Sequence, residues 1–272
     1  MRLDEEARTL QTTVRLDRGR PRTVVVAPSR QGSALVTVLG PRPSARQAEQ
    51  VLERVHYMLR LEEDLSEFYA AVAADPELSW VAAGAGRMVR SPTVFEDTVK
   101  TICTTNCAWS ATERMVGALV EHLGEPAAGP RPDGPWGRAF PTAAAMAEAD
   151  VAFYRDVVRA GYRGAYLKTL AGAVAEGSID LEALNDPELP EDEVAESLIA
   201  LPGVGPYATA HMLMLLGRYS RLILDSWTRP KYASLNGRKA SDDQIARRFR
   251  RYGRHAGLAF WLYLTRDWVK DE

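Results

Sequence analysis

The sequence predicts an α+β protein: a small N-terminal antiparallel sheet with helices packed on it, followed by a long helical region. Three observations lead there. Between residues 10 and 40, short apolar-polar alternating runs are separated by Gly and Pro. From Ser44 the apolar spacing changes to a helical period. From residue 92 onward no segment alternates convincingly as a strand. At 272 residues and 46% hydrophobic, the chain can bury a substantial core.

Taken in order, Leu10 to Leu16, Thr23 to Val26 and Ser33 to Leu39 read as three strands, punctuated by Gly19, Pro21, Pro28, Gly32, Gly40 and Pro41. Ala48, Val51, Leu52, Val55, Met58 and Leu59 fit a helix on that sheet. Leu65, Phe68, Tyr69 and Val72 suggest a second, closed before Asp75-Pro76. Residues 81 to 92 read as a connection. Ser91-Pro92-Thr93 opens a helix with the stripe Phe95, Val99, Ile102. A polar break, Thr104 to Trp109, separates it from a helix through Met115, Leu119 and Leu123. Eight Gly and Pro residues mark 124 to 140 as a loop. Phe140-Pro141-Thr142 begins the next helix, and Val151 to Val158 a short one. Gly161 to Lys168 leads into a helix ending at Ala175. Leu181 to Leu184 and Val194 to Leu198 belong to further short helices, Asp242 to Phe249 to another, and Gly257 to Trp268 to an aromatic closing helix. The expected domains are 1–90 and 91–272.

Formal net charge is -2, so contact with nucleic acid must come from a local patch or helix N-termini and not from overall basicity. Cys103 and Cys107 are the only cysteines, which excludes a disulfide framework or a four-cysteine cluster within one chain. They read as buried small residues, since two thiols without further ligands make a poor zinc site. The charged start Met1 to Glu6 has no apolar stretch behind it, and no apolar run reaches spanning length. The expected location is cytoplasmic, with no membrane partner.

The stretch LIALPGVGPYATAHMLMLLGRYSRLILDSWTR, Leu198 to Arg229, carries the most chemistry. Gly203 and Gly205 permit backbone angles or close approaches denied to larger residues. Pro206 suits the first turn of a helix. The outward N–H groups of such a turn form a site for phosphate, while an ordinary tight connection between helices explains the same residues. The lone carboxylate Asp225 follows an apolar run twenty residues after Gly205. Its position also suits an N-cap aspartate.

These segments resemble the helix-hairpin-helix DNA glycosylases (HhH-GPD), nearest their bacterial 3-methyladenine and 8-oxoguanine branches. LPGVGPYATA is similar to the family's hairpin, and LILDSWTR to the segment bearing its catalytic aspartate. FEDTVKTICTTNCAWSATERM, FPTAAAMAEAD and GYRGAYLKTLAGAVAEG extend the likeness over roughly residues 92 to 268. The N-terminal sheet resembles the extra domain of those branches. The resemblance implies a core of two helical subdomains with a DNA cleft between them. It also implies a bacterial, nucleoid-associated monomer that flips a damaged base from duplex DNA.

The implied roles fall residue by residue. Asp225 is catalytic, stabilising the oxocarbenium-like sugar and positioning water. Tyr207 and His211, spaced i,i+4 on one helix face, line the base pocket with Trp227 and Trp261. A packed core aromatic is the alternative for Tyr207 and for Trp261, and a satisfied helix histidine the alternative for His211. Asn106 enters the gap left by the flipped base, or is a turn asparagine. Gly203, Val204, Gly205, Arg229 and Lys231 contact DNA. Main-chain carbonyls of Leu201 and Val204 hold a Na or K ion bridging to phosphate; no cofactor is required, and no iron-sulfur cluster can form. Members that also cut the strand carry a Schiff-base lysine where Tyr207 stands. No lysine lies between Lys168 and Lys231, so base removal without strand cutting is expected, with Lys231 as the one exception to consider. Cys107 and Ala108 depart from the asparagine-rich run of the 8-oxoguanine branch. Alkylated bases are the expected substrate. Oxidised guanine, and a DNA-binding module without catalysis, are the competing readings.

Overall fold

The polar edges and apolar faces of the first 38 residues resolve into an antiparallel meander in the computed structural model, which describes residues 1–30, 32–129 and 135–268. Strands β1 (Arg2–Asp4), β2 (Thr9–Val14), β3 (Arg22–Pro28) and β4 (Ala34–Val38) lie in that order. Leu10 faces Val26 and Val14 faces Arg22; across the other edge Val24 faces Val38. Thr12 and Val14 are buried and alternate with partly exposed neighbours along β2, as a one-sided sheet requires, whereas in β3 Arg22 and Thr23 are buried together with Val24 and Val26. The sheet therefore has four strands where the sequence suggests three. β1 is three exposed residues, too short and too charged to show an alternating pattern.

The helices are α1 (Ala45–Leu59), α2 (Ser66–Val72), α3 (Val94–Thr104), α4 (Trp109–Leu123), α5 (Ala143–Glu148), α6 (Arg163–Ala175), α7 (Glu191–Ile199), α8 (Pro206–Leu215), α9 (Thr228–Asn236), α10 (Asp242–Phe249) and α11 (Ala256–Thr265). Phe153–Val157 is a π-type turn, where an α-helix is expected. Beyond the sheet, the described residues add one isolated bridge, Pro126 to Arg138. No helix among them is long and apolar enough to cross a membrane.

Contacts divide the chain into two units, 1–58 with 91–182, and 59–90 with 183–272. This differs from the single cut expected after residue 90, and the reason is the core. Leu65, Phe68, Val72, Leu78 and Val81 share one apolar cluster with Phe249, Leu258, Phe260 and Tyr263. Segment 59–90 thus completes the core around α11. That helix is buried on nearly every side, consistent with its uniformly apolar composition.

In the sheet-bearing unit, α1 is tied to the β2–β3 connection through Asp17, which accepts from Gln50 and pairs with Arg54. α3 is capped twice. Thr93 Oγ1 accepts from Glu96 N at 3.1 Å, and the Glu182 carboxylate accepts from Val94 N and Phe95 N, each at 3.1 Å. Behind them, buried Asp97 accepts from Ser91 N at 3.0 and 3.1 Å, and burial pushes its carboxyl up to about 6.

Candidate functional site

The hairpin lies between α7 and α8. Leu201 and Val204 are buried and anchor it, with Val204 N donating to Leu201 O at 3.1 Å. Gly203 has φ +78°, a left-handed conformation that a larger residue would resist. Gly205 does not share that need. Its φ is -108°, and a Cβ there would meet nothing within 4 Å. The second glycine therefore relieves no internal crowding and instead leaves the surface beside α8 bare. Gly205 is the N-cap and Pro206 opens the helix, whose first amides have no intrahelical partner. Together these features suit an anion set close against the backbone.

Asp225 sits at the start of α9, a helix that the basic run Arg229 to Tyr232 does not suggest in the sequence. Its Oδ1 accepts from Trp227 N at 2.7 Å and Thr228 N at 2.6 Å, and Thr228 Oγ1 accepts from Asp225 N at 2.8 Å. The carboxylate is thus a capping group, as the residue type also allows. Oδ2 takes no hydrogen bond from the described residues. One oxygen fixes the orientation and the other is available for chemistry.

The four aromatic positions singled out in the sequence lie together. Tyr207 and His211 have ring centroids 4.4 Å apart, and His211 meets Trp261 edge-on at 6.0 Å. Trp227 lies 5.8 Å from Trp261. Trp268, which the sequence does not single out, completes the group at 5.8 Å from Trp227 and 6.3 Å from Trp261. Its spacing of seven from Trp261 is the available signal, since i and i+7 share a helix face. Trp227 and Trp268 are exposed, Tyr207 and Trp261 half-buried. His211 Nε2 is buried and meets no hydrogen-bond partner among the described residues. Burial lowers the imidazole to about 4, opposed by the nearby charge of Asp225, so the ring is neutral at neutral pH.

In the other unit, Asn106 occupies the turn between α3 and α4 with φ +47°, a conformation that asparagine tolerates better than most residues. It is exposed, and its Nδ2 donates to the Tyr162 hydroxyl at 3.2 Å. Buried Arg163 braces the turn, donating to both Thr105 O and Thr105 Oγ1 while lying 4.6 Å from the Tyr162 ring. Tyr162 and Trp109 are exposed beside the turn, and neither stands out in the sequence without that geometry.

The two basic side chains expected at DNA are engaged within the protein. Arg229 pairs with Asp242 through Nε at 2.8 Å and a second nitrogen at 2.9 Å, and Lys231 pairs with Asp267. Cys103 is buried and burial pushes its thiol up to about 12; Cys107 Sγ lies 3.2 Å from Cys103 O. No group of three or more His, Cys, Asp or Glu able to hold a metal exists among the described residues. At the hairpin, oxygen-only carbonyl donors fit the chemistry of a monovalent cation, and Leu201 O retains a lone pair beyond its bond from Val204.

No protein-family model matches the chain. A Bacillus subtilis (strain 168) protein named Putative DNA-3-methyladenine glycosylase YfjP is 30% identical over 112 residues, covering 41% of this chain and 34% of that relative. The match thus spans about a third of the relative's length. The 3-methyladenine DNA-glycosylase from Archaeoglobus fulgidus aligns over 97% of this chain and 88% of its own, with a TM-score of 0.72 and 23% identity. The 8-oxoguanine glycosylase/lyase of Clostridium acetobutylicum, in complex with double-stranded DNA containing cytosine opposite 8-oxoG, aligns over 94% and 87%, at 0.69 and 23%. MBOgg1 in complex with a low-affinity DNA ligand aligns over 95% and 89%, at 0.70 and 21%. The chain has the fold of the helix-hairpin-helix DNA glycosylases.

Proposed function

We propose that this chain is a monofunctional DNA glycosylase of base excision repair that removes alkylated bases. The observation that carries the reading is the grouping of Asp225 with five aromatic rings, in the unit that also holds the hairpin. As the base departs, the C1′–N bond breaks and its electron pair leaves with the base. Asp225 stabilises the positive charge that develops on the sugar, and its Oδ2 accepts the proton of the water whose oxygen bonds to C1′.

The substrate class follows from charge. Alkylation at a ring nitrogen makes a purine cationic. The cluster offers aromatic faces, which attract cations, and a histidine that is neutral at neutral pH and so adds no repulsion. Asn106, with Tyr162, would fill the space left in the duplex, and the hairpin at Gly203, Val204 and Gly205 would hold a backbone phosphate, aided by a Na or K ion on the carbonyls of Leu201 and Val204. Tyr207 in place of lysine, and Lys231 in an ion pair with Asp267, support water as the nucleophile. Arg229 and Lys231 would reach DNA only by exchanging their present partners.

Oxidised guanine is the second reading, favoured by the asparagine at the exposed turn and by the likeness to the 8-oxoguanine glycosylase/lyase. Duplexes carrying 3-methyladenine, 7-methylguanine or 8-oxoguanine, each incubated and then split into alkali-treated and untreated halves, test the proposal. Alkali-dependent breaks confined to the methylated duplexes support it. Breaks at 8-oxoguanine alone favour the second reading.

A further inference from the structure

The segment Thr228 to Arg254 carries nine Lys and Arg and two Asp, in a chain whose net charge is -2. Most of those cations are neutralised in place. Arg229, Lys231, Arg248, Arg251 and Arg254 each pair with a carboxylate. Arg238, Lys239 and Arg247 pair with none among the described residues, and all three are exposed. They line one cleft of about 470 Å³ at the α9–α10 corner, with Asn236, Gln244 and Arg248.

The corner is built to hold them there. Gly237, with φ +73°, ends α9 in a left-handed cap and turns the chain so that Arg238 and Lys239 face α10. α10 is then fixed by a capping box in which Ser241 Oγ accepts from Gln244 N and Gln244 Oε1 accepts from Ser241 N. Arg248 forms the back of the cleft. Its guanidinium bonds Tyr232, Asn236 and Glu77 at once, so it is oriented and its charge is balanced. Three cations with no ion-pair partner among the described residues therefore line a concave surface whose wall is held by Arg248.

We propose that this cleft binds a phosphate group of the DNA backbone, on a duplex arm away from the damaged nucleotide. The proposal rests on the reading of the chain as a DNA glycosylase. Arginine and lysine together suit a tetrahedral anion, and the cleft is open, as a continuous strand requires. It gives an acidic chain the local basic surface that its overall charge denies it.

The test measures binding of an undamaged fluorescent duplex across a range of salt. The wild type is compared with the triple variant R238A/K239A/R247A and with a charge-matched control, R18A/R20A/R46A, built from exposed arginines of the other unit. The expected result is about a tenfold weaker affinity for the triple variant, and a log–log salt slope shallower by about 0.9 for each phosphate no longer neutralised. The control should match wild type. An unchanged slope in the triple variant, or an equal loss in the control, overturns the proposal. Titration with inorganic phosphate separates the sources: saturable phosphate binding abolished in the triple variant, with duplex binding intact, assigns the cleft to a small anion and also overturns it. Base release is measured in parallel. If the wild type binds no duplex and releases no base, the glycosylase reading fails with it. If base release persists at saturating enzyme while the triple variant's affinity is unchanged, only the cleft assignment fails.

Discussion

Asp225 and Thr228 hold each other reciprocally: the threonine amide donates to Asp225 Oδ1 at 2.6 Å, and the Asp225 amide donates to Thr228 Oγ1 at 2.8 Å. Thr228 is fully buried, so its hydroxyl has no water to turn to. The pair sets which carboxylate oxygen faces outward. Thr228→Val keeps the shape and leaves the Asp225 amide without its partner. The expected cost is about 1–2 kcal/mol of stability. Single-turnover base release should fall about tenfold at unchanged duplex affinity, because the carboxylate is less well held. A variant with wild-type rate at saturating enzyme would show that Thr228 is merely structural.

His211 makes the fold acid-sensitive. Its imidazole falls to about 4 in the folded protein from the ordinary 6.5. The unfolded chain therefore binds more protons in that window, and stability drops as pH falls from 6.5 towards 4, by at most about 3 kcal/mol. Denaturant titrations of wild type and His211→Gln at pH 7.5 and pH 4.5 check this. The wild type should lose more of its stability on acidification than the variant does.

Asp97 acts with the opposite sign. Burial raises its carboxyl to about 6 from 3.8, so the folded state holds the proton more tightly. Its penalty is present in full above pH 6 and disappears as pH falls through 6 towards 3.8. Asp97→Asn keeps an acceptor for Ser91 N and removes the buried charge. It should raise stability at pH 8 by about 2 kcal/mol and by much less at pH 4.5, read as the difference in thermal midpoint.

Asn106 combines an exposed amide with a left-handed backbone. Asn106→Gly removes the amide and keeps the conformation, whereas Asn106→Ala also introduces strain of about 1 kcal/mol. Both variants should lose about tenfold in the rate on a paired damaged base and much less on a mismatched one, which leaves the stack more easily. The glycine variant should keep the wild-type melting temperature. Equal losses on paired and mismatched substrates would remove the insertion role.

Much of this is legible in the sequence because local chemistry decides it. LPGVGP marks a hairpin through glycine and proline alone, and Thr93 and Thr142 announce the helices they cap. What is not legible depends on distant partners. The sequence hides α9 because the side chain that holds the amides at its start, Asp225, lies three residues before the helix, and its body is polar with Pro230 inside. It hides the division into units because the apolar face of α2 finds its cover in α11, which no local pattern reveals. The sequence leaves open whether Gly205 serves a backbone angle or a close approach, and its ordinary φ with open space beside it leaves the second.

In the proposed reaction Asp225 drives base removal with water as nucleophile. A duplex with a single 7-methylguanine, incubated with wild type or Asp225→Asn in the presence of borohydride and resolved with and without alkali, tests it most directly. The expected result is free base and strand breaks only after alkali for the wild type, no covalent protein–DNA complex, and a rate reduced by about 100-fold or more in the variant. A trapped complex, breaks without alkali, or an Asp225→Asn rate equal to wild type would contradict it.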